Sequence, residues 1–434
     1  MVWGGGVLAV LLLLGGAGGA WLYGSLDGNI HSADLGDRLG GDRPDNISPG
    51  SKNILVVGSD SRDGANAKYG KGLTTMQSDT LMVVHIAADR KWAGIVSLPR
   101  DSYVHIPSCE RGDGSRSDPH FFKINESFAI GGTQGGDVAG AAACTIKTVE
   151  KNTGLRIDHF ASVDFQGFKG MVNALGGIEV CPEEAIHDKK AHLDLEAGCQ
   201  TVKDEEALGY VRARYSVGDG TDTGRIGRQQ EFMESLAAKA QRKLTSPKAL
   251  YGFLDSATKS LTTDEELAGI KPLYDLASGL KDIPEDRLHF LTVPNYPREA
   301  DVPSDKANVV WQYPQAARLF TAMAKDEEVT KKRLTAESAD PLYASRVRVQ
   351  VLNGTSEAGA AAVAARSLAK FGFPVTTGNA PEEAAKTSVT YPPGKAAEAE
   401  VLASRFPGVT AKKDAAATPG TVTLTLGPDF EGLG

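Results

Sequence analysis

Five short segments set Asp and Arg beside residues that favour tight turns: Gly58-Ser59-Asp60-Ser61-Arg62, Ser78-Asp79-Thr80, Leu98-Pro99-Arg100-Asp101, Tyr210-Val211-Arg212-Ala213-Arg214, and the stretch from Asp222 through Arg225 and Arg228 to Gln229 and Gln230. The first three abut apolar runs that read as strands, and α/β sheets collect ligands in loops at strand ends. Arg212 and Arg214 are two apart, so on an extended segment both side chains point the same way. Arg225 and Gln229 are four apart and share a face on a helix, with Arg225 in a first turn where the dipole favours an anion. Guanidinium groups suit planar, bidentate phosphate contacts, and several of them can clamp a pyrophosphate. Asp60 and Asp79 offer hard oxygen ligands to a divalent ion such as Mg²⁺, which takes one or two carboxylates plus phosphate oxygens. Positioning and charge neutralisation are most of what phosphoryl transfer asks of a protein. Any single Asp–Arg pair reads first as a surface ion pair or loop cap; the recurrence at strand ends is what points to phosphate.

Other chemistries find no constellation. Gly64 to Gly70-Lys71 has one residue too many for a phosphate loop, and Gly72 stands where a magnesium-binding Ser or Thr is needed. The glycines of Gly131–Gly136 are wrongly spaced for a dinucleotide fingerprint. There is no GxSxG elbow and no HExxH helix. His187 and His192 are five apart and do not align on one helical face.

The elements that must position these residues follow from periodicity. Ile54–Val57, Thr80–Ile86 and Ala93–Leu98 read as strands of a sheet covered on both faces. Val138–Glu150 reads as a helix, His159–Phe165 as a strand, and Phe168–Leu175 as a short helix ended by Gly176-Gly177. Ile226–Leu244 is an amphipathic helix; helices near Glu265–Leu280 and a strand at His289–Val293 follow. Alternation of this kind predicts an α/β sandwich. The charged segment 326–345 reads as a linker, and beyond it 346–430 reads as a smaller α/β domain. Its strands fall at Val347–Leu352, Phe373–Thr377 and Val422–Leu426, its helices at Gly359–Phe371 and Ala396–Arg405.

The 434 residues carry a net charge of −8, which argues against bulk nucleic-acid binding. Residues Val2 to Tyr23 carry no charge and end in Trp21 and Tyr23; about 20 apolar residues span a bilayer as a helix. The expectation is an anchor over 1–24, with a cleaved signal peptide as its rival, and a Gly/Asp/Ser/Pro-rich stalk over 25–51. Cys109, Cys144, Cys181 and Cys199 form no CxxC pair. Proximity favours Cys109–Cys144 and Cys181–Cys199, although four cysteines allow three connectivities and four free thiols are the alternative. An anchor with paired cysteines suggests an extracytoplasmic body.

The segments Asn53–Arg62, Ser78–Val84, Val96–Asp101, Lys123-Ile124-Asn125, Asn173–Ile178, Ala207–Arg214 and Asp222–Gln230 occur in the order seen in the LytR-CpsA-Psr family, which the stretch from about Lys52 to Leu244 resembles. The tail from about Val347 resembles the LytR C-terminal domain of actinobacterial members. The resemblance implies an α-β-α sandwich with a central mixed sheet, over 52–325, on the outer face of the cell membrane behind a single-pass anchor. It implies a phosphotransferase dependent on Mg²⁺ (or Mn²⁺), moving a glycopolymer from a polyprenyl-pyrophosphate carrier onto peptidoglycan and leaving polyprenyl phosphate. By motif, Asp60 and Asp79 are the metal-side acids; Arg100, Arg212, Arg214 and Arg225 grip the pyrophosphate; Gln229, Lys123 and Asn125 lie beside it. Asp101 orients Arg100 or acts as base, and Asp222 orients Arg225. Phe160, Phe165, Phe168, Met171, Val172 and Leu175 are candidates for a prenyl groove, or ordinary core. Two features depart from the pattern: Glu126 stands where family members often have His, and an extra loop, Asp63–Met76, separates Asp60 from Asp79. A hydrolase using water as acceptor and a non-catalytic envelope-binding or regulatory protein are the alternative readings. The oligomeric state and the identity of the glycopolymer are open at this level.

Overall fold

The computed structural model describes residues 24–59, 76, 78–189, 191–213, 222–243, 247–281, 283–332, 334, 341–406 and 409–430. The strands are β1 (His31–Ala33), β2 (Lys52–Ser59), β3 (Ser78–Ile86), β4 (Ala93–Ser97), β5 (Tyr103–Ile106), β6 (His120–Lys123), β7 (His159–Val163), β8 (Ile178–Val180), β9 (Ile186–Asp188), β10 (Leu193–Leu195), β11 (Gln200–Val202), β12 (Leu261–Asp264), β13 (Leu288–Thr292), β14 (Asn295–Pro297) and β15 (Val309–Trp311). Seven of them form a mixed sheet in the order β1-β12-β7-β2-β3-β4-β13. The middle strand β2 runs antiparallel to β3 and parallel to β7. Its residues Ile54, Leu55 and Val57 are buried, as expected of a strand covered on both faces.

Helices form where Val138–Glu150, Phe168–Leu175, Ile226–Leu244 and the region near Glu265–Leu280 predict them, with shifted ends, and four more join them in the first domain. We label them α1 (Glu126–Gly131), α2 (Val138–Thr153), α3 (Phe165–Ala174), α4 (Asp204–Arg212), α5 (Asp222–Lys243), α6 (Pro247–Ser260), α7 (Ile270–Lys281) and α8 (Gln315–Ala324). Asp137 caps α2 by accepting from the Gly140 amide, and Gly154 closes it in the left-handed conformation. Asp164 caps α3 in the same manner, accepting from Gly167 N. Leu55, Val57, Val83 and Val96 of the sheet share one core with Ile146 and Val149 of α2 and Phe320 of α8. A separate cluster, including Val172, Leu175, Tyr210 and Phe232, packs α3, α4 and α5 with β8–β11. The C-terminal domain is a five-stranded sheet, β17-β16-β20-β18-β19, built from β16 (Val349–Asn353), β17 (Val375–Asn379), β18 (Ser388–Tyr391), β19 (Ala411–Lys413) and β20 (Val422–Leu426). Its helices are α9 (Ala360–Lys370) and α10 (Ala396–Ala403).

Several expectations need correction. Residues expected to be a stalk are built into the body: β1 pairs with β12 in parallel, Asp27 caps α7 through Ile270 N at 2.8 Å, and Arg43 forms an ion pair with the buried Glu150 at 2.6 Å. The segment expected to be a linker starts as part of the first domain, since Val329 and Leu334 join its core. Asp326 meets His85 at 3.0 Å, and Glu328 meets His289 at 2.8 Å. The aromatic groove does not form as one feature: Phe160 is in the sheet core, whereas Val172 and Leu175 are buried in the helical cluster. The anchor expectation falls on residues outside those described; among the described residues no helix is long and apolar enough to cross a membrane.

The cysteines pair as Cys109–Cys144 and Cys181–Cys199. The first ties the loop after β5 to α2 across a sequence separation of 35. Closing a loop of that length restricts the unfolded chain by an amount worth about 3–4 kcal/mol. The double variant Cys109→Ala/Cys144→Ala is expected to lose about that much stability in urea unfolding; an unchanged midpoint and slope would show that the bridge contributes nothing.

Candidate active site

Ladder registers bring one set of strand ends to a single edge of the main sheet. Gly58 lies opposite both Thr80 and Val163, Val163 opposite Leu261, Met82 opposite Ser97, and Ser97 opposite Thr292. The C-terminal ends of β2, β4, β7 and β13 therefore share an edge with the N-terminal ends of β3 and β12. Three of the five Asp/Arg segments attach directly to these ends.

The β2–β3 ladder ends in an irregularity. Gly58 pairs with Thr80 but Ser59 pairs with Ser78, so Asp79 is the extra residue of a β-bulge. Bulges recur beside active sites, where they re-aim one residue and stop the pairing. Asp60 follows Ser59 in sequence and lies outside the described residues. Two carboxylate-bearing residues thus adjoin, in sequence, the last pair of one ladder. Hard carboxylate oxygens of this kind fit a divalent cation such as Mg²⁺. Alternation alone does not show the bulge.

Arg100 and Asp101 lie on the turn that leaves β4, closed by Ser102 N donating to Pro99 O at 2.9 Å. Asp101 Oδ1 accepts from Lys123 Nζ at 2.6 Å, and its Oδ2 lies 3.9 Å from Arg100 Nε. Lys123 is thus the closer cation to Asp101. Asn125 meets the same turn through its backbone, donating to Arg100 O at 3.3 Å. Both Arg100 and Asp101 are largely but not wholly buried, with side chains 17% and 14% exposed. Bonding groups are therefore held in a poorly hydrated place that a ligand can reach.

Arg212 does not lie on an extended segment. Arg212 is the last residue of α4, a helix that starts with Asp204, Glu205 and Glu206. Acidic residues in a first turn complement the helix dipole, and they override the strand-like Arg-Ala-Arg alternation. The Arg212 guanidinium sits over the ring of Phe165, 4.7 Å from its centroid. Phe165 opens α3 just past the end of β7, so the ring links Arg212 to the shared edge. Arg214 lies outside the described residues. Asp222 and Arg225 fall in the first turn of α5, as expected of the latter; nothing is described of their side chains.

Three consecutive residues then stitch α5 to its surroundings. Gln229 Nε2 donates to Val211 O at 2.9 Å and lies 3.5 Å from Thr80 Oγ1, so one amide bridges the end of α4 to the residue beside the bulge. Arg228 donates to Ala213 O, and Gln230 Nε2 donates to Thr292 Oγ1 at 2.8 Å. Burial lowers the Arg228 guanidinium from its ordinary pKa, opposed by Tyr210, Glu231 and Asp188. Sequence reasoning singled out Gln229 but missed Phe165 as a partner of Arg212, and missed Arg228 and Gln230 as fasteners. The run of three long polar side chains one turn into a helix was the available signal.

The described part of the site is therefore an edge where Arg100, Arg212, Lys123 and the Asp79 bulge converge with Gln229. Comparison with known proteins gives this edge a context. The model of the LytR_cpsA_psr family matches residues 22–325, and that of the LytR cell envelope-related transcriptional attenuator matches residues 346–430. The cell wall biosynthesis protein LcpA of Corynebacterium glutamicum is 30% identical over 403 residues, covering 86% of this chain and 76% of LcpA. LcpB of the same organism, named a probable cell wall biosynthesis protein, is 36% identical over 221 residues, which is 49% of this chain. The chain spans about half of LcpB, 48% of its length. The polyisoprenyl-teichoic acid–peptidoglycan teichoic acid transferase TagU of Enterococcus faecalis is 30% identical over 54% of this chain and 69% of its own. Among solved structures, a LytR-Csp2A-Psr enzyme from Actinomyces oris shares the fold with TM-score 0.51 at 18% identity, over 68% of this chain and 96% of that one.

The Phe165 ring stabilises the Arg212 cation by face-on attraction, worth enough to change affinity by roughly fivefold. Should the edge take a pyrophosphate, Phe165→Leu is expected to weaken that binding by roughly that factor in calorimetry, and Phe165→Trp to retain it. Equal binding by the Leu and Trp variants would mean that packing alone, and not the ring face, holds Arg212.

Proposed function

This chain belongs to the LytR-CpsA-Psr family, and from that premise we propose that it is a phosphotransferase that moves a cell-envelope glycopolymer from a polyprenyl-pyrophosphate carrier onto peptidoglycan. The observation that supports this most is the gathering of Arg100, Arg212, Gln229 and the Asp79 bulge at one sheet edge. The relatives' printed names agree in class, since TagU is named a transferase and LcpA a cell wall biosynthesis protein.

In the reaction an acceptor hydroxyl oxygen forms a bond to the phosphorus that carries the glycopolymer. The bridging P–O bond of the pyrophosphate breaks, polyprenyl phosphate leaves, and the hydroxyl proton goes to a base or to water. Arg100 and Arg212, with Arg214 and Arg225, neutralise the charge on the phosphate oxygens. Such stabilisation is strong in a water-poor site with the donors already fixed. Asp101, held by Lys123, sets the orientation of Arg100 or receives the acceptor proton. Asp60 and Asp79 are the residues to hold Mg²⁺ or Mn²⁺, which when bound adds charge neutralisation on the pyrophosphate. By their motifs, Asp222 would orient Arg225 and Asn125 would stand beside the substrate. The expected setting is the outer face of the cell membrane: a lipid carrier suits an enzyme anchored there, and two disulfides suit an oxidising compartment.

The full chain in detergent, given a polyprenyl-pyrophosphate-linked sugar and peptidoglycan, is expected to label the acceptor only with Mg²⁺ present. Arg100→Ala and Arg212→Ala are each expected to slow transfer by about 10²–10³ with unchanged thermal unfolding. Near-normal turnover by Arg100→Ala would defeat the clamp, and release of polyprenyl phosphate without a labelled acceptor would mark a hydrolase.

A further inference from the structure

The C-terminal domain is fused to the first domain through a shared core. Tyr296 and Val310 of the first domain are buried in one cluster with Val347, Val349, Phe371 and Phe373. Arg405 is only 3% exposed, and its guanidinium stacks over Tyr313, Phe371 and Phe373 at 4.6, 4.7 and 5.2 Å. Gly372 has φ +88° and approaches Asp301 so closely that a Cβ there would lie 2.8 Å from the Asp301 Cβ, so only glycine suits both the turn and the contact. Asp301 in turn accepts from Tyr296 Oη at 2.6 Å and from the Ser345 amide at 2.8 Å.

This core reaches the candidate site through the β5–β6 hairpin. Tyr103 lies opposite Lys123 in that hairpin, and Phe121 is two residues before Lys123, so the three share one face. Phe371 of the C-terminal domain meets both rings edge-on, Phe121 at 5.2 Å and Tyr103 at 5.7 Å. Arg298 lies over Tyr103 at 3.9 Å, pairs with Asp305 and donates to the carbonyl of Lys370 in the C-terminal domain. At the next position on that face, Lys123 holds Asp101 at 2.6 Å. The strand β15 ties in from behind: Val309 N donates to Asp101 O at 3.1 Å and Trp311 Nε1 to Ser102 Oγ at 2.9 Å.

We propose that the C-terminal domain is a brace for the candidate site: Phe371 and Arg298 are positioning residues that, by clamping Tyr103 and Phe121, fix the Lys123–Asp101 pair beside Arg100. Nothing in this placement requires the domain to bind a separate partner. Its influence on chemistry runs through the geometry of Lys123 and Asp101, and that part rests on the transferase reading; the mechanical coupling does not.

Two measurements separate those parts. The first is hydrogen exchange on the full chain without substrate, comparing the native sequence with Phe371→Ala and Phe371→Leu. Loss of two edge-on ring contacts is expected to speed exchange of the amides at 102–106 and 120–125 by roughly tenfold, less so for Leu, while α2 is unchanged. Strand β16 reports whether the C-terminal domain stays folded. If it stays folded and the hairpin amides do not change, the brace is refuted; if it unfolds and they still do not change, the brace is refuted equally. The second is the transfer assay: Phe371→Ala is expected to lower kcat with little change in KM for the carrier, and Arg298→Lys, which keeps a cation over Tyr103, to recover more of kcat than Arg298→Ala. Equal kcat in all of these variants would confine the brace to a structural role and overturn the positioning claim. Absence of transfer by the native chain would count against the proposed function, and the exchange result would still decide the brace.

Discussion

The site depends on one ladder, β2 against β3, and on where it stops. A strand slipped by one residue turns every side chain to the opposite face, so a register error here would displace Asp79 and the Thr80 that Gln229 reaches. The far end is fixed by polar contacts as well as by apolar burial. His85 lies opposite Asn53 in the ladder, its Nδ1 2.7 Å from Asn53 Oδ1, and its Nε2 meets Asp326. Burial pushes the His85 pKa down while Asp326 opposes that shift. With the register pinned at that end, the bulge can be spent at the other, where Asp79 is released from the regular pairing.

Antiparallel and parallel pairings then do different work. Because β3 and β4 return antiparallel, Asp79 at the start of one and Arg100 past the end of the other arrive at the same edge. Because β7 runs parallel to β2 and β13 runs parallel to β4, Phe165 and Thr292 arrive there too. An all-parallel sheet would have sent Asp79 to the opposite edge. The mixed topology is thus what lets acids and arginines from distant sequence positions meet.

Much of this was legible in sequence because apolar runs bounded by Gly, Ser and Pro mark strand ends, and the Asp/Arg segments sit at those boundaries. What could not be read there is tertiary. Residues 31–33 sit in a stretch whose composition suits a tether, yet β12 offers them a free strand edge, and burial of Glu150 recruits Arg43 from the same stretch. Arg212 looked extended because Arg-Ala-Arg alternates, whereas the acidic turn eight residues earlier had already started a helix. The bulge leaves no trace in a period-2 pattern. Nor does the stacking of Arg405 on Tyr313, since the partners are separated by most of a domain in sequence.

The two sides of the site are restrained by different forces. Asp101 is held by Lys123 at the end of a hairpin gripped by rings and guanidinium groups, contacts that are broad and resist sliding. The side formed by α4 and α5 packs on an apolar cluster of its own that includes Tyr210 and Phe232, and it meets the edge through polar contacts of Arg228, Gln229 and Gln230 and through Arg212 resting on one ring face. Misplacing a reacting group by about 1 Å can cost on the order of 10²-fold in rate, so a rigid reference is most useful where a proton or an acceptor must be aimed. Charge neutralisation falls off more gently with distance and asks less of the aim of each arginine. The grip on the hairpin therefore serves the aim of Asp101, and the α4–α5 side brings charge, a division that follows from what each group would have to do to a pyrophosphate.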